Sequence, residues 1–279
     1  MVIRMSTDNK NPAQQNATKA SIPTRPLKLQ LKLLEKIQHP GTDVMSFKFA
    51  RSDSLNSNAG RQENQYLSYK AGQYCIVNLG TREDPEGPVR SFTMASSPTE
   101  EDFILITTRI RDTPFKKKLA ALDIDSAVDI SAPLGKFVLH DENSKPAVFL
   151  SGGIGVTPFR SMIKYATDVK LPINITLFDA NRNQANIIFK DEFDSWLKIN
   201  PKLNIIYAVS ELDTSTEWKG EKGYINKSIV ERYLDSRQID NSIFYICGPP
   251  GMLKAMQSLL QDNLEIPKER IKVEEFTGY

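Results

Sequence analysis

Ser151-Gly152-Gly153-Ile154-Gly155-Val156-Thr157-Pro158 decides how this chain is read. It follows an apolar run, Ala147-Val148-Phe149-Leu150, and precedes a helix-like segment, Phe159 to Ala166. A buried strand feeding a glycine turn and then a helix builds an anion site. Glycines let backbone approach a phosphate, and the helix start offers unpaired N–H groups and a positive dipole end. Pro158 suits a first helical position, where an N–H has no partner to lose. The turn is not the G-x-G-x-x-G of the common dinucleotide fingerprint. By itself the segment fits an anion site and a plain strand-to-helix turn equally well.

Composition narrows the classes. A chain of 279 residues suggests two domains or one large one. The net charge of +2 gives no field that argues for nucleic acid or a membrane surface. Two cysteines, Cys75 and Cys247, supply neither a four-thiolate cluster nor a disulfide framework. With two histidines, His39 and His140, the chain is poorly equipped for a histidine-built metal site, so no metal is expected. No apolar run reaches the roughly 18 residues a membrane span needs. The first residues lack the apolar core of a signal peptide, which makes the cytoplasm the expected location.

Along the chain, residues 1–25 are polar and hold too little apolar surface to offset ordering entropy, which predicts a mobile tail. From Leu27 the pattern has period two: Leu27, Leu29, Leu31 and Leu33 alternate with Lys28, Gln30 and Lys32. Further strands are predicted at 44–49, 72–77, 89–95, 103–110 and 128–132, with a loop over 51–68 and one helix at 114–122. Short strands separated by turns predict an antiparallel barrel or sandwich over 26–142. After Pro146, strands at 147–150, 173–178, 203–209 and 242–247 alternate with helices near 158–167, 189–199, 226–234 and 250–262. That rhythm predicts a parallel α/β sheet over 143–279, with a last extended piece at 271–276. The glycine turn then falls at the C-terminal edge of the first parallel strand, where open sheets bind ligands.

Two more segments carry chemistry. In Arg90-Ser91-Phe92-Thr93-Met94-Ala95, alternation sends Arg90, Phe92 and Met94 to one face and Ser91, Thr93 and Ala95 to the other. An arginine can hold a pyrophosphate bidentately, a ring can lie against a planar cofactor, and a hydroxyl can reach a ring nitrogen. The same pattern also suits an ordinary amphipathic barrel strand. Cys247-Gly248-Pro249-Pro250-Gly251-Met252 opens the last helix after a strand, leaving a ledge wide enough for a flat ring. A buried cysteine at a strand end reads the same way.

Together these segments resemble the ferredoxin–NADP reductase superfamily. Arg90-Ser-Phe-Thr is similar to its flavin signature, Gly72-Gln73-Tyr74 to its Gly-Gln-Tyr/Phe strand, and Pro133 with Gly135-Lys136-Phe137 to its Pro-x-Gly-x-Phe turn. Gly152 to Pro158 resembles the pyridine-nucleotide loop, Cys247 to Met252 the nicotinamide ledge, and Glu274-Glu275-Phe276 the terminal Glu-x-Phe. They fall in the family's order across residues 27–279. The resemblance implies an N-terminal antiparallel Greek-key β-barrel binding FAD and a C-terminal α/β parallel-sheet domain binding NADPH or NADH. Hydride would pass from nicotinamide C4 to flavin N5 in the cleft between them. Single electrons would then pass to a separate carrier such as ferredoxin, flavodoxin, a cytochrome or an oxygenase component.

Carried over by residue, the resemblance puts Arg90 on the FAD pyrophosphate, with Ser91 on the same strand. Phe92 falls at a tyrosine position beside the flavin, and Thr93 near N5. Thr107, Arg109, Pro114, Phe115 and Lys116 fall in the region holding the rest of the FAD, while Lys116-Lys117-Lys118 otherwise reads as a solvated face. Gly152, Gly153, Gly155, Thr157 and Pro158 would meet the dinucleotide. Cys247, Gly248, Pro249 and Met252 would border the nicotinamide. Phe276 or Tyr279 would cover the flavin, and Glu274 would supply a proton or fix the ring. Arg182 and Ser210 match contacts to a 2′-phosphate, although Glu211 stands where an arginine often follows; the balance leans to NADPH. Rival readings are a free-flavin or ferric-chelate reductase and a binding adaptor without turnover.

Overall fold

The computed structural model describes residue 23 and residues 25–52, 66–212 and 217–275. Most of the predicted mobile tail over 1–25, much of the 51–68 loop, and Phe276 and Tyr279 lie outside the described residues.

Alternation organises the first sheet. In β1 (Leu27–Gln38), Leu29, Leu31 and Leu33 are buried while Lys28 and Gln30 face out. Each buried leucine stabilises the fold by roughly 2 kcal/mol. Five more strands complete the sheet: β2 (Val44–Ala50), β3 (Tyr74–Asn78), β4 (Val89–Thr93), β5 (Phe103–Arg109) and β6 (Ala127–Leu134). They pair antiparallel in the order β4-β3-β6-β1-β2-β5. Just past β4, Met94 bridges Ile106, and the Ala95 N–H donates to the Leu105 carbonyl at 2.7 Å. Those bonds bring the two edge strands together, so the sheet is a nearly closed barrel without long free edges. Helix α1 (Pro114–Ala121) lies between β5 and β6, with the Thr113 side chain capping its start and Pro114 in the first turn.

The second sheet is parallel throughout. Its strands are β7 (Ala147–Gly152), β8 (Ile175–Asn181), β9 (Leu203–Val209), β10 (Glu221–Lys222), β11 (Ile243–Gly248) and β12 (Ile271–Glu275), in the order β10-β9-β8-β7-β11-β12. Helices α2 (Thr157–Asp168), α3 (Lys190–Leu197), α4 (Lys227–Tyr233), α5 (Ser236–Asn241) and α6 (Pro250–Ser258) connect them. Strands β7 and β11 are buried at every position, the signature of a sheet covered on both faces. The chain winds outward from β7 through β8 to β9 and then returns to β11 on the other side. The strand order therefore reverses between β7 and β11, the place where open α/β sheets bind ligands.

Several elements depart from the sequence reading. The helix expected over 189–199 starts at Lys190, because Phe189 takes a left-handed φ of 66°. The helix expected over 250–262 ends its α part at Ser258 and continues as a π turn, Leu259–Asn263. The strand expected at 173–178 runs from Ile175 to Asn181. Two short elements, β10 and α5, were not expected. The second has a legible signal, the capping box of Asp235 and Gln238.

The barrel and the parallel sheet share one apolar core. Val44, Ala71, Ala95, Leu105 and Phe137 of the first half pack in the same cluster as Phe149, Phe159, Met162 and Tyr245 of the second. At its edge Arg160 of α2 donates to the Ala95 carbonyl at 2.8 Å and to both oxygens of Glu100 at 2.9 and 3.1 Å. It also pairs with Glu192 of α3 at 2.6 Å, and its side chain is only 5% exposed. Beside it, Ser161 donates to the Ser96 carbonyl at 2.6 Å. Removing one partner of a buried ion pair strands the others. Arg160→Leu is therefore expected to lower stability by about 3 kcal/mol, measured by urea unfolding; a loss below about 1 kcal/mol, the scale of an exposed pair, would refute this role for the clamp.

Candidate functional site

At the reversal point two turns lean on each other. A Cβ added to Gly155 would lie 2.3 Å from the Cys247 carbonyl oxygen, and one on Gly248 would lie 2.8 Å from Met252 Sδ. A Cβ on Gly152 would stand 3.2 Å from both Met252 and Pro249. Gly155 is thus required by contact with the backbone of the second turn, while at Gly152 and Gly248 the nearest obstacles are the Met252 and Pro249 side chains. Gly153 is different: its φ is +53°, and the nearest atom to its missing Cβ is Arg109 Nη2 at 3.5 Å. It is the glycine of the turn whose backbone stays open toward the cleft. The chain then makes one 3₁₀ turn, Gly153–Val156, before α2 begins. The Thr157 hydroxyl closes that turn by donating to the Ile154 carbonyl at 3.1 Å, and Pro158 is buried in the first turn of α2.

Arg109, at the end of β5, reaches this turn from the barrel and pairs with Asp43. On the adjoining barrel edge, Thr93 ends β4. It is buried, and its hydroxyl has no hydrogen-bond partner. Across the parallel register, Glu274 of β12 lies opposite Cys247 of β11. Burial pushes the Glu274 carboxyl up to about 7, and its Oε2 is likewise without a partner. The Cys247 thiol is fully buried and raised by burial and by the Glu274 charge, so it stays protonated. Behind the turn, Asp179 accepts from Ser151 at 2.6 Å and from Asn181 at 2.8 Å, tying the ends of β7 and β8. Burial raises it to about 6. Sequence reading missed this residue, since nothing local distinguishes it from any acid at a strand end.

The barrel face differs from expectation in its charges. Arg90 pairs with Asp84 and with Glu86, and also donates to the carbonyls of Glu86, Gly87 and Val89. Asp84 in turn accepts from the Phe115 N–H at 2.8 Å and the Glu86 N–H at 3.0 Å. Burial works against its charge, but these N–H groups and Arg90 outweigh it and lower its pKa. The acidic turn Glu83-Asp84-Pro85-Glu86 ahead of Arg90 carried a readable signal. Lys116 does not belong to a solvated face: it is 8% exposed, because it neighbours the inward positions Phe115 and Leu119 of α1. Its ammonium lies 4.6 Å over the Phe92 ring and donates to Thr108. Phe92 and Met94 face the barrel core, while Ala95 faces the shared core between the domains. Thr107 points the other way from Thr108 and exchanges a 2.7 Å bond with Ser46. Ser91 is exposed.

Beyond the glycine turn, a cleft of about 850 Å³ is lined by Asp43, Arg109, Arg111, Arg182, Asn183 and Asn186, among others. Arg182 pairs with Glu211 at 2.8 Å, both side chains being well exposed. Ser210 donates its N–H to the Asn181 carbonyl at 3.1 Å.

The fold and these two edges define a barrel joined to a dinucleotide-type α/β domain. Residues 149–258 match the oxidoreductase NAD-binding domain. The chain is 29% identical over 203 residues to the phenol 2-monooxygenase reductase component DmpP of Pseudomonas sp. (strain CF600), covering 71% of this chain and 55% of that one. It is 28% identical over 241 residues to the nitrate reductase [NADPH] of Fusarium oxysporum, covering 78% of this chain and 25% of that one. The chain thus spans little more than half of the first relative and a quarter of the second. Its fold superposes on the Amycolatopsis cytochrome P450 reductase GcoB with a TM-score of 0.73 at 19% identity, covering 94% and 74% of the two chains. The chain is similar to the ferredoxin reductase-like proteins in its NAD-binding domain and in its two-domain fold. Among the described residues no helix is long and apolar enough to cross a membrane.

Glu274 makes a pH prediction. Its folded value, about 7, lies above its ordinary 4.5, so the charged form strains the fold above pH 7 and the strain fades as pH falls toward 4.5. Glu274→Gln is expected to be more stable than the parent at pH 8 and indistinguishable from it near pH 4.5. Thermal unfolding at both values checks this; an equal offset at both would contradict it.

Proposed function

We propose that the chain is an FAD-dependent NAD(P)H oxidoreductase that passes electrons to a separate one-electron carrier. The carrying observation is the meeting of two edges: the reversal point between β7 and β11, and the end of β4, where a buried Thr93 hydroxyl stands without a partner. The residues fit a flavin: Thr93 offers a donor, Lys116 a buried cation, and Gly153 an open backbone. Bound flavin supplies the chemistry, accepting hydride from nicotinamide and releasing electrons singly.

The chain's own groups would then work as follows. Gly153 and the start of α2 present backbone N–H groups to a diphosphate, with Arg109 adding charge from the barrel. The Thr93 hydroxyl donates to the flavin ring edge. Glu274, titrating near neutrality, holds or releases a proton beside the cleft. The Cys247 thiol shapes the ledge without reacting. The matched relatives include a monooxygenase reductase component and a nitrate reductase, which supports a separate acceptor, such as a ferredoxin, flavodoxin, cytochrome or oxygenase component, as the partner. Anaerobic mixing with NADH or NADPH tests the reading. Flavin absorbance near the visible maximum should bleach; a bound flavin that neither nucleotide bleaches would sink it.

The Arg182–Glu211 pair bears on nucleotide choice. A 2′-phosphate reaching Arg182 would have to displace a carboxylate already held there, whereas a ribose diol could be accepted by it. This geometry supports NADH over the leaning toward NADPH. Glu211→Gln should lower the KM for NADPH about threefold or more, the scale of an exposed ion pair, and leave that for NADH unchanged. Equal shifts for both nucleotides would remove the pair from the phosphate site.

A further inference from the structure

We propose that Asp179 couples dinucleotide binding at the glycine turn to proton uptake: its carboxylate opposes the diphosphate, and its carboxylic acid admits it. This rests on the nucleotide reading above. Asp179 stands on β8 beside β7, and the parallel register sets it opposite Ser151, the residue before Gly152. It belongs to a polar row across the edge of the sheet. Tyr207, Asp179, Ser151, Cys247 and Glu274 lie opposite one another on β9, β8, β7, β11 and β12. Side chains at one register level of a parallel sheet share a face, and neighbouring strands lie about 4.8 Å apart. The Asp179 carboxyl therefore sits one strand away from the chain that enters the turn.

That carboxyl is completely buried, and among the described residues no cation pairs with it. Its two partners are neutral donors: the Ser151 hydroxyl on Oδ1 at 2.6 Å and the Asn181 amide on Oδ2 at 2.8 Å. From β9, Tyr207 faces it as a phenol that stays protonated and donates to Asp194 of α3 at 3.0 Å. Asp191 and Asp194 add negative charge around that ring, and Lys190, over the ring, is paired with Asp194. Burial pushes Asp179 up to about 6, against the pull of the Ser151 and Asn181 bonds. A diphosphate at Gly153 adds like charge just beyond Ser151 and favours the neutral acid further. The surroundings accept that acid. Asn181 Oδ1 is buried without a partner, and half a turn of the amide presents it to Asp179 Oδ2. There it accepts from the protonated acid, while Ser151 keeps its bond to Oδ1. The proton comes from solvent and rests on Oδ2, and no other covalent bond changes.

Binding of ADP-ribose to the full chain, followed by titration calorimetry, tests this. The probe carries the diphosphate without a nicotinamide ring to meet Glu274. It also lacks a 2′-phosphate, which itself titrates at about pH 6. The parent should take up protons on binding at pH 7, read from the heats in buffers of different ionisation enthalpy; this readout needs no variant to fold. Its affinity should be about threefold or more higher at pH 5.5 than at pH 8, the scale of one nearby like charge. Asp179→Asn keeps an acceptor for Ser151 and loses the charge. It should bind about threefold tighter than the parent at pH 8, match it at pH 5.5, and take up no protons. A residue that only ties the strand ends would leave the variant weaker or unchanged at both values. In Glu274→Gln the proton uptake should persist. No uptake in the parent, uptake that survives in Asp179→Asn, weaker or unchanged binding by Asp179→Asn at pH 8, or uptake lost in Glu274→Gln would each overturn the coupling. If the parent binds no ADP-ribose at all, the nucleotide reading itself fails, and the coupling with it.

Discussion

The structure depends on the seam between barrel and parallel sheet. Two planar groups can exchange electrons only if the surfaces carrying them keep a fixed spacing, and here the surfaces belong to different halves of the chain. Arg160 fixes that spacing, bonding to Ala95 and Glu100 of the barrel and to Glu192 of the second domain from a buried position. The apolar cluster beneath it draws residues from both halves, so the halves cannot separate without exposing core. A loosely linked pair of domains would have a polar interface and would rock about its linker. This pair is built to stay in one arrangement.

Around the seam, charge is handled unevenly, and the unevenness carries information. Asp84 and Arg90 satisfy each other and the start of α1. The buried Thr93 hydroxyl and one oxygen of the half-buried Glu274 carboxyl have no hydrogen-bond partner. Buried polar groups usually find partners, and exceptions collect where a ligand completes the set. Those of Thr93 and Glu274 fall on β4 and β12, which border the barrel edge and the reversal point, while others, such as Thr81 and Gln184, lie elsewhere. The two buried thiols add no redox chemistry of their own, since burial keeps both protonated.

The fold was largely legible in the sequence, and the site only partly. Leu29, Leu31 and Leu33 announced a barrel strand, and the strand–helix rhythm after Pro146 announced a parallel sheet, because both follow from local periodicity. The turn at 152–158 was legible as a turn, but the separate reasons for its glycines were not. Gly155 is set by Cys247, more than ninety residues on, and only the folded chain brings them together. Lys116 was hidden inside a lysine run, where composition suggests solvent and helical phase decides otherwise.

The proposed function rests on a flavin seated on the barrel with its ring at Thr93, facing the crevice between β7 and β11. A crystal structure of the FAD complex tests that claim most directly. The expected result is the flavin ring within hydrogen-bond reach of the Thr93 hydroxyl. A flavin bound away from the seam would contradict it.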